Sequence, residues 1–257
     1  CGSFTGGANE QPPSASSALA SSTCRRHAHS AFAMNALPRH VGLLRGGGDA
    51  YRIAIRDAVL RTFDHAVVSA DARAELDDIA EAFIRSHDGA TPSFKGLYGF
   101  PRTLCTSINE EIVHGIPSKK RVLVEGNIVS VDVGVKLDGL HADSATTVPV
   151  GEISPDARKL LAVTQECLRA GIAQAVAGNH VGDIGHAVQE VAEGAGYGVV
   201  RELVGHGIGR TFHEDPQVPN HGRPKRGPRL AVGMTIAIEP MITMGDFATR
   251  TLDDKCT

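Results

Sequence analysis

At 257 residues the chain is long enough to bury one sizeable core and too short to make a second one the rule. Its 26 Lys+Arg against 29 Asp+Glu leave a formal net charge of −3, and the basic cluster Lys119-Lys120-Arg121 is too short for a nucleic-acid stripe, so specific nucleic-acid binding is not expected. The five cysteines (Cys1, Cys24, Cys105, Cys167, Cys256) form no CxxC pair, no apolar run reaches the ~18 residues of a membrane span, and no secretory h-region is present, which together predict reduced thiols in the cytoplasm.

Residues 1–48 hold Gln11-Pro12-Pro13, a Ser/Ala-rich stretch and Gly46-Gly47-Gly48, with no sustained period. They read as a disordered or spurious leader ahead of a folded unit over 49–257. A first helix is predicted around Tyr51–His65 from Ile55, Val59 and Phe63, and a second over Ala74–Ser86 from Leu76, Ile79, Ala80 and Phe83. A loop with Gly96, Gly99 and Pro101 leads into an extended Thr103–Val113. The β-branched run Gly126–Val135, the turn pair Asp138-Gly139 and the return Leu140–Val148 predict a hairpin.

Ser154-Pro155-Asp156 starts a helix, with Ser as cap and Pro at its first position; its inward face is Leu160, Val163 or Thr164, Cys167, Leu168 and Ile172, and it closes near Gly178-Asn179. A further helix is expected over Gly182–Glu193, with Ile184, Val188 and Val191 or Ala192 inward, and a last strand over Met234–Ile242. Helices mixed with antiparallel strands give an α+β fold.

The hairpin carries the first chemical signal. Mirror pairing about Asp138-Gly139 sets Asp132 opposite Ala145, so Asp143 shares the face of Asp132 one diagonal away, about 7 Å or less. Asp132 lies between Val131 and Val133 in a strand apolar on both sides, where a lone carboxylate is expensive. A divalent cation would relieve both the burial and the mutual repulsion; an arginine or backbone donors would be the alternative partner. His206 sits between Gly205 and Gly207, where small neighbours would let a metal and a substrate backbone come close, and Glu239 is a second isolated acid in an apolar strand. Each has a structural reading, as a loop histidine and a buried salt bridge. Taken together, carboxylates with few histidines and no thiolate suit a hydrolytic pair of Mn, Co, Fe or Zn ions better than a structural zinc site.

Four motifs in order and spacing resemble type I methionine aminopeptidases of bacterial kind. They are Ser107–Pro117 with His114, Asp132 followed after ten residues by Asp143, Gly205–Gly209 continuing to Phe212-His213-Glu214, and Gly233–Pro240 with Glu239. The resemblance implies the pita-bread α+β fold, with a curved antiparallel sheet and outer helices, and metal-dependent removal of an N-terminal methionine that precedes a small residue. It implies two divalent ions held by Asp132, Asp143, His206 and Glu239, with Asp143 bridging. Glu239 would shuttle the proton, His114 and His213 would hold the peptide, and Phe100, Cys105 and Phe212 would line the methionine pocket. Substrates would be nascent polypeptide N-termini at the ribosome, met by a monomer away from any membrane.

Three departures carry expectations of their own. The family's last bridging glutamate would fall about a dozen residues after Thr257, so a catalytic domain lacking its final strand is expected, with an inactive or binding-only relative as the alternative reading. Leu97 and Cys256 stand where aromatics are usual, with Tyr98 able to substitute only if its loop shifts. A proline-specific aminopeptidase or creatinase-like hydrolase is the remaining alternative; such enzymes carry a large N-terminal domain, which 48 low-complexity residues cannot supply.

Overall fold

A computed structural model describes residues 30–32, 34–35, 72–252 and 256–257. The helix expected around Tyr51–His65 lies outside the described residues. Helix α1 (Ala72–Arg85) packs Leu76, Ala80 and Ile84 inward. The buried stripe is turned slightly from the expected one, so Ile79 and Phe83 are half-buried and Ile84 takes the deep position.

The central strand is β5 (Ile128–Leu137). It pairs antiparallel with β6 (Leu140–Pro149) along one edge, and with β3 (Thr91–Pro92) and β4 (Leu104–Ile108) along the other. The hairpin register is the expected one, with Asp132 opposite Ala145 and Gly134 opposite Asp143, and Asp138 (φ 51°) and Gly139 (φ 78°) supply the left-handed turn. Period-two alternation then sorts the strand. Val129, Val131, Val133 and Val135 join α1, Leu104 and Ile108 in one core, while Ile128 packs with the helices on the opposite side. Each fully buried valine or leucine there contributes roughly 1.5–3 kcal/mol. Asp132 and Gly134, on the second face, are left to build a site.

Helix α2 (Pro155–Gln174) starts as expected: the Ser154 hydroxyl accepts the Ala157 N–H at 3.1 Å and Pro155 opens the first turn. It ends four residues before Gly178, because the chain breaks into a turn in which Asn179 Nδ2 donates to the Gln174 carbonyl. Helix α3 (Val181–Gly194) buries Ile184, Val188 and Ala192, with Asp183 accepting the His180 N–H at 2.7 Å. The two helices cover a second sheet, of order β1–β10–β7, made by β1 (Ser30–Phe32), β10 (Met241–Thr243) and β7 (Gly198–Val199). A third pairing is the hairpin β8 (Gly205–Gly207) with β9 (Glu214–Val218).

Two findings depart from expectation. Ser30–Phe32, and β2 (Met34–Asn35) against β6, pair with the sheets although they lie in the segment read as a leader, a role that reading did not assign them. The strand expected over Met234–Ile242 joins a ladder only at Met241–Thr243. Residues 234–240 run alongside β8 through two separate bonds, Ile208 N–H to the Thr235 carbonyl and Ala237 N–H to the His206 carbonyl. Pro240 lacks the donor that would continue the ladder.

Candidate metal centre

The β5–β6 hairpin, β8 and the 234–240 segment bring Asp143, His206 and Glu239 together, each with one ligand atom within 4.8 Å of the others. His206 Nε2 lies 3.2 Å from Glu239 Oε1 and 3.6 Å from Asp143 Oδ2. All three side chains are buried. Asp132 stands beside them on the same hairpin face, half-buried and close enough to Asp143 for their charges to couple.

Among the described residues, four buried side-chain oxygens have no hydrogen-bond partner: Asp132 Oδ1, Asp143 Oδ1, Glu239 Oε1 and Asn220 Oδ1. Three of the four belong to this cluster. Burial first, and then the charge of Asp143, pushes the Asp132 carboxyl well above the usual carboxylate range. Burial raises Asp143, and burial followed by the Asp143 charge raises Glu239. No lysine or arginine is paired with any of them in the ion pairs of the described residues. A cluster of repelling acids with bare oxygens is what divalent cations stabilise.

The histidine is set up for the same task. His206 Nδ1 lies 2.8 Å from the Gly207 carbonyl, which only accepts, so Nδ1 is the donor there and the ring turns Nε2 toward the carboxylates. The flanking glycines serve a different purpose from the one expected. A Cβ at Gly205 would stand 2.2 Å from the Ala237 carbonyl oxygen, and one at Gly207 2.2 Å from the Asp215 carbonyl oxygen. They admit the protein's own neighbouring strands, and so hold His206 against the Glu239 segment.

Beside these groups lies an apolar cluster of Phe94, Cys105, Ile208 and Phe212, with Leu97 and Phe100 packed against it. The three expected pocket residues are thus together, and Phe94 and Ile208 complete them. Cys105 pairs directly across from Asp132, which ties this cluster to the acids. Phe94 meets Phe212 edge-on at 5.2 Å, and both press on Gly134, where a Cβ would come within 2.8 Å of either ring. Gly134 is the gap in β5 through which the aromatic wall reaches the sheet.

Tyr98 does not enter this cluster. It is 76% exposed and stacks on His213 at 5.8 Å and 14°, with its hydroxyl 3.3 Å from His213 Nδ1. Leu97 packs inward instead. His213 touches His206 ring to ring at 4.4 Å, and crowding by protein atoms, reinforced by His206 and His114, lowers its pKa to about 4. His114 adopts a left-handed φ of 62°, and its ring is exposed yet crowded enough by protein atoms to lower its pKa. Its turn is pinned to β4: Thr106 N–H donates to the Gly115 carbonyl at 2.7 Å, and Gly115 N–H donates to Ser107 Oγ.

Residues 50–254 match metallopeptidase family M24. The methionine aminopeptidase of Clostridium acetobutylicum is 55% identical over 184 residues, covering 72% of this chain and 73% of that protein. Methionine aminopeptidase 1 of Bacillus subtilis is 48% identical over 220 residues, 86% of each. The crystal structure of methionine aminopeptidase from Thermotoga maritima superposes with a TM-score of 0.75 at 40% identity, covering 79% of this chain and 81% of that one. An X-Pro aminopeptidase from the same organism, 17% identical with a TM-score of 0.55 over 82% of this chain and 61% of that one, shares the fold alone. The architecture is therefore the pita-bread fold that the motifs implied. By the span of the match and the identity of its relatives, the chain belongs to metallopeptidase family M24.

Proposed function

We propose that this protein is a methionine aminopeptidase: a metal-dependent exopeptidase that removes the first methionine from polypeptides whose second residue is small. The observation that carries the reading is the convergence of Asp143 and Glu239, buried acids with bare oxygens, on Nε2 of His206, with Asp132 beside Asp143 on the same hairpin face.

Asp132 and Asp143 would hold one divalent ion, and Asp143, His206 and Glu239 a second, with Asp143 shared. Bound there, Mn, Co, Fe or Zn ions would supply Lewis acidity, acidifying a water and polarising the scissile carbonyl. Glu239 would take the proton of the attacking water and carry it to the leaving amine. His213, neutral above about pH 4, would serve as a hydrogen-bonding group for the peptide carbonyl, and His114, near enough for its charge to act on His213, would hold the next peptide unit. The wall of Phe94, Phe100, Cys105, Ile208 and Phe212 takes the methionine side chain, since thioethers pack well against aromatic edges and sulfur. Burial of that wall beside the acids excludes water from the reacting bond.

Buried thiols at Cys105 and Cys167 support a reducing, cytoplasmic setting. Among the described residues no helix is long and apolar enough to cross a membrane. The substrates inferred are nascent chain N-termini met at the ribosome, taken by a monomer.

The deciding assay offers Met-Ala-Ser beside Ala-Pro peptides to protein loaded with manganese or cobalt. Release of methionine from the first, abolished by chelation, is expected. Cleavage of the second alone would replace this reading with a proline-directed activity of the same family.

A further inference from the structure

The fourth bare oxygen belongs to a residue outside the cluster of acids. Asn220 is completely buried, and it donates from Nδ2 to the backbone carbonyl of Glu239 at 2.6 Å. The amide orientation is unambiguous, since a carbonyl only accepts. The other end of the amide, Oδ1, has no protein partner.

Residue 239 needs an outside support. It lies in the 234–240 segment, beyond the last bond to β8 at Ala237 and before the ring of Pro240, so no strand ladder holds its peptide. Asn220 supplies that support from a rigid base. Gly185 of α3 lets the carbonyls of Pro219 and His221 approach so closely that a Cβ there would stand 2.5 Å from each. Gln189 of the same helix accepts the Gly222 N–H at 3.0 Å. The segment 219–222 is thus seated on α3, with Asn220 reaching from it to Glu239.

We propose that Asn220 is a positioning residue for the catalytic centre: it fixes the Glu239 peptide and, through it, the placement of the Glu239 carboxylate relative to His206. The inference rests on the reading of Glu239 as metal ligand and proton shuttle. It assigns the tie between helix α3 and the second ion to one side-chain amide.

The test uses the whole chain, cobalt(II) as probe, and the variants Asn220→Leu and Asn220→Asp. Leu fills the space without a donor; Asp keeps the shape and loses the donating Nδ2. Both are expected to weaken binding of one cobalt equivalent by about 10–100-fold, to change the visible d–d spectrum, and to lower kcat on Met-Ala-Ser while KM moves little. Variants with wild-type cobalt affinity, spectrum and kcat, differing only in thermal midpoint, overturn the proposal. So does failure of the shape-preserving Asp variant to fold, which would make the contact structural. Absence of cobalt binding by the wild type would instead overturn the reading of the metal centre.

Discussion

The β5–β6 hairpin and the 234–240 segment each deliver acids to the same cluster, by opposite means. On the hairpin, a ten-residue backbone ladder sets the spacing of Asp132 and Asp143, and their side chains inherit it. On the other segment, Glu239 depends on single contacts: the Ala237–His206 bond, the close approach at Gly205 and the Asn220 amide. Ladder-borne groups tolerate changes nearby, because many bonds share the strain. Singly held groups do not. Half of this centre is therefore robust, and half is sensitive to residues that never touch a substrate.

The largest effect tests whether both halves serve one centre. Asp143→Ala or Asp132→Asn on the hairpin, and His206→Ala on β8, should each bring methionine release to background and remove cobalt binding, measured by turnover and calorimetry. If the hairpin variants lose activity while cobalt binding at His206 persists unchanged, the two halves do not share ions. Next comes Gly205→Ala, whose new Cβ would press on the Ala237 carbonyl at 2.2 Å, a backbone atom that cannot step aside. It should weaken metal binding by about tenfold or more and destabilise the fold by roughly 1–3 kcal/mol, read by calorimetry and denaturant melts.

Gly134→Ala makes the matched insult on the hairpin side. Its Cβ would meet Phe212 and Phe94 within 2.8 Å, and rings can shift where backbone cannot. A stability loss of roughly 1–3 kcal/mol and a raised KM for methionine peptides are expected, with cobalt affinity nearly unchanged. A loss of metal binding equal to that of Gly205→Ala would erase the contrast between the two regions. Tyr98→Phe, which removes the hydroxyl from His213 while keeping the stack, should lower kcat only a few-fold, by roughly 1 kcal/mol or less.

The smallest effect belongs to a site remote from both halves. Glu81 of α1 is held at about 2, chiefly by the Lys95 ammonium and, against its own burial, by Arg85 and Thr103. Because its folded pKa is depressed, its contribution is present above the ordinary value of 4.5 and is lost as pH falls through about 2. Glu81→Gln should cost about 1 kcal/mol at pH 7, with wild type and variant converging as pH approaches 2 and methionine release unaffected.

The same division explains what the sequence made legible. Alternation of valines with Asp132 and a two-residue Asp-Gly turn sufficed to read the hairpin register, because period-two patterning and turn chemistry are local. The Ser154 cap and the inward faces of α2 and α3 were legible for the same reason. Glu239 is legible as an odd acid, but the end of its strand is not, since pairing with β8 stops at Ala237 and Pro240 lacks a donor to continue it. Nothing in Val218-Pro219-Asn220-His221 distinguishes a buried strut from an ordinary turn. The close neighbours of Gly205 and Gly207 are carbonyls distant in sequence, to which no local signal points. Phe94 and Ile208 join the apolar cluster beside the acids through tertiary packing that no local period reveals.

The central claim is that the three acids and His206 Nε2 are held together as cation ligands. A crystal grown with manganese and measured at the wavelength of its anomalous signal tests this most directly. The account predicts anomalous density among Asp132, Asp143, His206 and Glu239, with the bare oxygens now ligated. A manganese-soaked crystal with no such density, in which the acids are protonated and bonded to one another, would contradict it.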